Sequence, residues 1–120
     1  MAKIFITDDS PFIRELISAL VEETGHIFET AASGEELLRR YNEVKPDIVI
    51  LDIVMIGMNG LDTLDKLIAL DRNAKVLICS AFATQIDIEK EALGRGAYAV
   101  LPKPISLQEL KEKIEEGLKI

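Results

Sequence analysis

The chain has 120 residues, 48% hydrophobic and 29% charged, with 21 acidic against 14 basic side chains and a net charge of −7. That size suits one core and leaves little room for a second, and the composition favours neither a disordered chain nor a membrane span. An acidic surface opposes docking on DNA, RNA or anionic lipid. The lone cysteine, Cys79, cannot form an internal disulfide or a Cys-based metal site, and the N-terminus MAKIFIT has no secretory signal, so a cytoplasmic location is expected.

The first apolar run, KIFIT (3–7), reads as a strand that ends in two adjacent carboxylates, Asp8 and Asp9. Ser10 then supplies an N-cap and Pro11 a first helical position, and Ile13, Leu16, Ile17, Leu20 and Val21 recur at helical spacing up to Gly25. His26, beside Gly25, reads as a surface turn residue at the start of a second strand, HIFETA (26–31). Ser33 and Glu36 form a capping box for a second helix with a stripe of Leu37, Leu38, Tyr41 and Val44, stopped by Pro46.

DIVIL (47–51) and KVLICS (75–80) are apolar on both parities, as suits central strands covered on both sides, with Cys79 a small buried residue. Between them Asn59 and Gly60 read as turn chemistry before a third helix bearing Leu61, Leu64, Leu67 and Ile68. Thr84 and Asp87 predict the cap of a weakly amphipathic fourth helix ending in GRG, and YAVL (98–101) is a fifth strand. Ser106 and Glu109 cap a last helix expected to bury Leu107, Leu110, Ile114 and Leu118.

Five alternating strand–helix units predict an α/β fold, a doubly wound parallel sheet with right-handed crossovers and helices on both faces. In such a sheet the ligand site lies beyond the carboxyl ends of the strands. The residues there are Asp8 and Asp9, Asp52, Ser80 and Lys103. Three carboxylates brought together demand a proton or a cation, and an all-oxygen donor set points to Mg²⁺. Asp8 and Asp9 suit a metal-holding role, while Asp52 suits either a further ligand or a nucleophile towards phosphorus. A Ser80 hydroxyl, the Lys103 ammonium and Mg²⁺ would together neutralise a phosphoryl group in transfer.

Taken in order, DDS after the first strand, PDIVILDIVM around Asp52, NG at Asn59 and Gly60, SA at Ser80 and Ala81, GA at Gly96 and Ala97, and KP at Lys103 and Pro104 resemble the receiver domain of two-component response regulators, in its single-domain chemotaxis-like form. The resemblance covers essentially the whole chain, 1–120, as one receiver without an output domain. It implies a flavodoxin-like strand order of 2-1-3-4-5 and a cis peptide between Lys103 and Pro104. It implies that Asp52 takes a phosphoryl group from the phosphohistidine of a sensor histidine kinase or phosphotransfer protein. Mg²⁺, with Mn²⁺ as the alternative, would be held by Asp9, Asp52 and the main-chain carbonyl of Val54, with Asp8 acting mainly through water, and Ser80 and Lys103 would contact the phosphoryl oxygens. Such a protein is no enzyme beyond catalysing its own phosphorylation and dephosphorylation, and its output passes to a protein target through the face of the fourth helix, fifth strand and fifth helix.

Four positions depart from the family pattern. Ile56 replaces a usual proline and is followed by Gly57, which predicts a freer loop after Asp52. Val100 stands where the family places a switching Tyr or Phe, with Tyr98 on the same strand face as the nearest aromatic. Val54 and Phe82 are apolar where the family flanks the path of attacking water, so slow self-dephosphorylation is expected.

Singly, these features have plainer readings: an acidic pair favoured at a helix N-terminus, a strand-end hydroxyl bonded to backbone, a solvated lysine. None accounts for the set. A nucleotide or flavin binder would need a Gly-rich phosphate loop that no strand precedes here. A Mg²⁺-dependent phosphatase with an Asp nucleophile would need a second acid where Val54 stands, and a receiver no longer phosphorylated would not be expected to keep all five site residues.

Overall fold

The computed structural model describes residues 1–55, 57–81 and 86–120. Five strands, β1 (Lys3–Thr7), β2 (Ile27–Ala31), β3 (Ile48–Leu51), β4 (Val76–Ser80) and β5 (Ala99–Pro102), alternate with helices α1 (Pro11–Glu23), α2 (Gly34–Val44), α3 (Gly60–Leu70), α4 (Ile86–Gly94) and α5 (Leu107–Leu118). All strand pairs are parallel and the order is β2-β1-β3-β4-β5, as expected.

The central strands β3 and β4 are buried at every position, which explains their apolarity on both parities. Phe5, Val49, Leu51, Val76 and Ile78 face one layer with Leu37 and Tyr41 of α2, Leu64 and Leu67 of α3 and Ala92 of α4. Ile4, Ile6, Ile48, Ile50, Leu77, Cys79 and Leu101 face the other with Ile17 and Val21 of α1 and Leu110 and Ile114 of α5. Burial pushes the Cys79 thiol up to about 12, leaving it neutral at physiological pH.

The helix starts follow their signals. Ser10, Ser33 and Ser106 each accept the N–H three residues on. In α2 the Glu36 carboxylate reaches back to the N–H of Ala32 rather than that of Ser33, and this hydrogen bond is the main reason its pKa is lowered. The expected Thr84 cap of α4 lies outside the described residues.

Several expectations need correcting. β2, β3 and β4 each begin one residue later than the apolar runs suggest, and β5 is shifted one residue along, to Pro102. His26 is a partner rather than a bare turn residue: its Nδ1 accepts the Ala2 N–H at 2.9 Å. Leu16, Leu107 and Leu118 lie about 40% exposed, flanking the faces that Ile17, Val21, Leu110 and Ile114 bury. Tyr98 and Val100 do not share a face, because Tyr98 precedes β5 and escapes its alternation. Tyr98 packs into the layer that also holds α1 and α5, Val100 into the opposite one. The Tyr98 hydroxyl donates to the Lys113 carbonyl at 2.8 Å, and its ring occupies the space that a Cβ on Gly117 would fill, 2.6 Å away.

Candidate functional site

Because Thr7 pairs with Leu51 in the parallel β1–β3 ladder, the next residues, Asp8 and Asp52, emerge side by side. Their own N–H groups extend the ladders by one step: Asp52 donates to Thr7 O at 3.1 Å and Asp8 to Ala31 O at 3.2 Å. Both side chains are buried and Asp9 is half-buried. Asp8, Asp9 and Asp52 each offer a carboxylate oxygen within 4.8 Å of the other two.

Lys103 arrives from the other side of the crevice. Ser80, fully buried at the end of β4, pairs with Pro102, and its carbonyl accepts the Lys103 N–H at 3.0 Å. The Lys103–Pro104 peptide is cis, as the resemblance implied. Lys103 Nζ lies 2.8 Å from Asp8 Oδ2 and 3.2 Å from Asp52 Oδ2. Asp8, Asp9, Asp52 and Lys103 therefore form one cluster, with Ser80 bonded to the Lys103 backbone beside it.

Burial raises the Asp52 pKa above the ordinary carboxylate value; the Lys103 charge opposes this, and the Asp8 charge adds to it. Burial alone would lower Lys103, but its hydrogen bond to Asp8 and the two carboxylate charges outweigh that and raise it. With the oxygens within 4.8 Å of one another and an effective dielectric constant of about 20, each like-charge pair costs at least about 3 kcal/mol. Three carboxylates against one ammonium leave two negative charges in the cluster. A hard divalent cation matches both that charge and the all-oxygen donor set, so the residues fit Mg²⁺.

The loop from β3 to α3 carries the remaining expected ligand. Val54 N–H approaches Asp52 Oδ1 at 3.3 Å, and its side chain is 55% exposed at the rim. Ile56 and Phe82 lie outside the described residues. Asn59 and Gly60 do more than turn the chain. Asn59 Oδ1 caps α3 by accepting the Asp62 N–H at 2.9 Å. Gly60 donates its N–H to Ile53 O at 2.7 Å, and a Cβ there would run into the Asp52 carbonyl oxygen and Ile53 Cα. Gly60 thus lets α3 begin directly against the backbone of Asp52.

The family description "Response regulator receiver domain" matches residues 4–115. The chain belongs to the response regulator receiver family. It is 38% identical over 120 residues to chemotaxis protein CheY of Listeria monocytogenes, covering 99% of this chain and all of that one. It is 30% identical to sporulation initiation phosphotransferase F of Bacillus subtilis, covering 97% and 93% of the two chains. Among solved structures, a receiver domain protein from Clostridium thermocellum superposes with a TM-score of 0.92 at 30% identity, covering 99% and 95%. CheY4 of Vibrio cholerae gives 0.91 at 28%, covering 98% and 99%. This receiver is accordingly a phosphoacceptor response regulator of two-component signalling. Receivers as a family work with histidine kinases or phosphotransfer proteins and generally bind Mg²⁺ at an acidic pocket. Among the described residues, no helix is long and apolar enough to cross a membrane.

Proposed function

We propose that Asp52 of this cytoplasmic protein is the phosphoacceptor, taking a phosphoryl group from the phosphohistidine of a sensor histidine kinase or phosphotransfer protein. A carboxylate oxygen of Asp52 forms a bond to phosphorus, the bond from phosphorus to the imidazole nitrogen breaks, and the histidine, protonated beforehand on its other ring nitrogen, leaves as neutral imidazole. The observation that carries this reading is the buried Asp52 carboxylate with Lys103 Nζ 3.2 Å away, beside two further carboxylates.

Asp8, Asp9 and Asp52, with the Val54 carbonyl, are the residues that would hold Mg²⁺ (or Mn²⁺), and when bound the ion supplies charge neutralisation for the phosphoryl oxygens. Lys103, pulled to the cluster by Asp8, is placed to follow those oxygens as charge moves onto Asp52, and the Ser80 hydroxyl is the second protein donor. The chain's own chemistry ends with its phosphorylation and the later hydrolysis of the acyl phosphate. Val54 at the rim favours slow hydrolysis by setting an apolar group beside the path of water.

In this reading residues 1–120 act as a single receiver whose output is a phosphorylation-dependent contact with a protein target through α4, β5 and α5. With its hydroxyl bonded to the Lys113 carbonyl and its ring against Gly117, Tyr98 is not set to swing as the family's aromatic does, so in this reading transmission falls to other groups on that face. Mass measurement after incubation with Mg²⁺ and acetyl phosphate tests the phosphoacceptor. The wild type is expected to gain one phosphoryl group and Asp52→Ala none. A gain retained in Asp52→Ala would reject Asp52, and steady release of phosphate from varied phosphoesters would favour a phosphatase.

A further inference from the structure

Asp8 is held through each of its polar positions. Its N–H donates to Ala31 O at 3.2 Å, Oδ1 accepts the Ser10 N–H at 2.9 Å, and Oδ2 accepts from Lys103 at 2.8 Å. Its main-chain carbonyl accepts from a guanidinium nitrogen of Arg14, six residues on in α1, at 2.7 Å. Of these four bonds only the last grips the Asp8–Asp9 peptide itself. A peptide unit is planar, so anchoring its oxygen sets the direction in which the chain, and with it the Asp9 side chain, leaves that plane. Asp9 is the least buried of the three clustered carboxylates.

The plainer reading of Arg14 is a helix-surface cation satisfied by a neighbouring acid. Among the described residues Arg14 makes no salt bridge, and its guanidinium donates to this carbonyl instead. Arg14 lines an open cleft of about 250 Å³ between α1 and β2 with Pro11, Glu15, Ser18, Phe28 and Thr30, which leaves space beside its side chain for a substitution. A charge-assisted bond in a partly buried position is among the stronger single hydrogen bonds a protein makes.

We propose that Arg14 is a positioning residue for the divalent-cation site, acting on Asp9 through the Asp8 carbonyl. This rests on the reading of Asp8, Asp9 and Asp52 as that site. Outer groups that orient metal ligands typically change affinity by about ten- to a hundred-fold when removed.

The test compares wild type, Arg14→Met, which keeps the apolar stem without the donor, and Arg14→Lys, which keeps a long cationic donor. Mg²⁺ affinity is read by titration calorimetry on the unphosphorylated protein, and folding by thermal unfolding without metal. Acetyl phosphate labelling then separates the Mg²⁺ concentration for half-maximal rate from the limiting rate. Arg14→Met is expected to bind Mg²⁺ about tenfold or more weakly and to shift the half-maximal concentration by the same factor, with Arg14→Lys close to wild type. A merely structural role would lower the unfolding temperature and leave the affinity of the folded protein unchanged. A folded Arg14→Met that binds Mg²⁺ as wild type does overturns the assignment of Arg14 alone; a wild type that takes up no Mg²⁺ overturns the site on which it rests.

Discussion

Asp52 is a residue whose ionised form the metal-free fold disfavours. Burial and the Asp8 charge raise its pKa against the pull of Lys103, so above that pKa its charge costs stability. Below the unfolded-state pKa the carboxyl is protonated in both states and the cost vanishes. Asp52→Asn keeps an acceptor for Lys103 and removes the charge. It is expected to stabilise the metal-free protein at pH 7 by about 1–2 kcal/mol, a gain that shrinks towards pH 3 and is offset when saturating Mg²⁺ stabilises the wild type. Thermal unfolding at the two pH values, with and without Mg²⁺, checks it; an unchanged or lowered midpoint at pH 7 without metal would contradict the electrostatic account. Asp8, Asp9, Asp52, Ser80 and Lys103 were all legible in the chain as polar residues at or just past strand ends. Arg14 was not, because nothing in a sequence says that a helix-surface arginine folds back onto a carbonyl six residues earlier.

At the level of elements, the approach of α3 to the end of β3 sets where the site loop runs. The helix begins at Gly60, hydrogen-bonded to Ile53 O, with no room for a Cβ beside the Asp52 carbonyl. Gly60→Ala must push α3 or the loop aside, at a cost of about 1–3 kcal/mol, and should slow phosphorylation by acetyl phosphate more than an alanine at exposed Gly94 does. Gly94 has open space where a Cβ would stand. Chemical denaturation and labelling rates measure both effects, and equal rates for the two variants would show that the close approach is unimportant. Element identities followed from apolar periodicity and caps, whereas Leu16, Leu107 and Leu118 proved exposed because a helical stripe is wider than the strip of sheet it covers.

Across the whole molecule, the two ends of the sheet carry opposite electrostatics. Beyond the carboxyl ends, Asp52 is raised. Below the amino ends, the Tyr41 hydroxyl, at 2.7 Å, holds Asp71 below the ordinary carboxylate value, with the Asn73 N–H adding to this. A depressed carboxylate contributes stability that is present above its unfolded pKa and lost as pH falls through the folded one. The same hydrogen bond ties α2 to the end of α3, and burial is the main cause that pushes the Tyr41 hydroxyl up, keeping it a donor. Tyr41→Phe is expected to cost about 1 kcal/mol at pH 7 and less towards pH 2, as Asp71 becomes protonated in the folded state too. Denaturant midpoints at the two pH values test this, and a cost that does not depend on pH would remove Asp71 from the account.

The sequence by itself determined the five strand–helix units, their parallel arrangement, and the polar residues at the strand ends, since these follow from local periodicity, caps and the chirality of crossovers. The family resemblance added the strand order and the cis peptide. Only the tertiary structure decided how Asp8 is held on every side, that Gly60 is required by the backbone of Asp52, and that Tyr98 is locked against Gly117 on the face opposite Val100. The reason is physical: periodicity reports which residues are buried, but which backbone atom a long side chain reaches, and where two main chains come too close for a Cβ, depend on residues far apart in the chain.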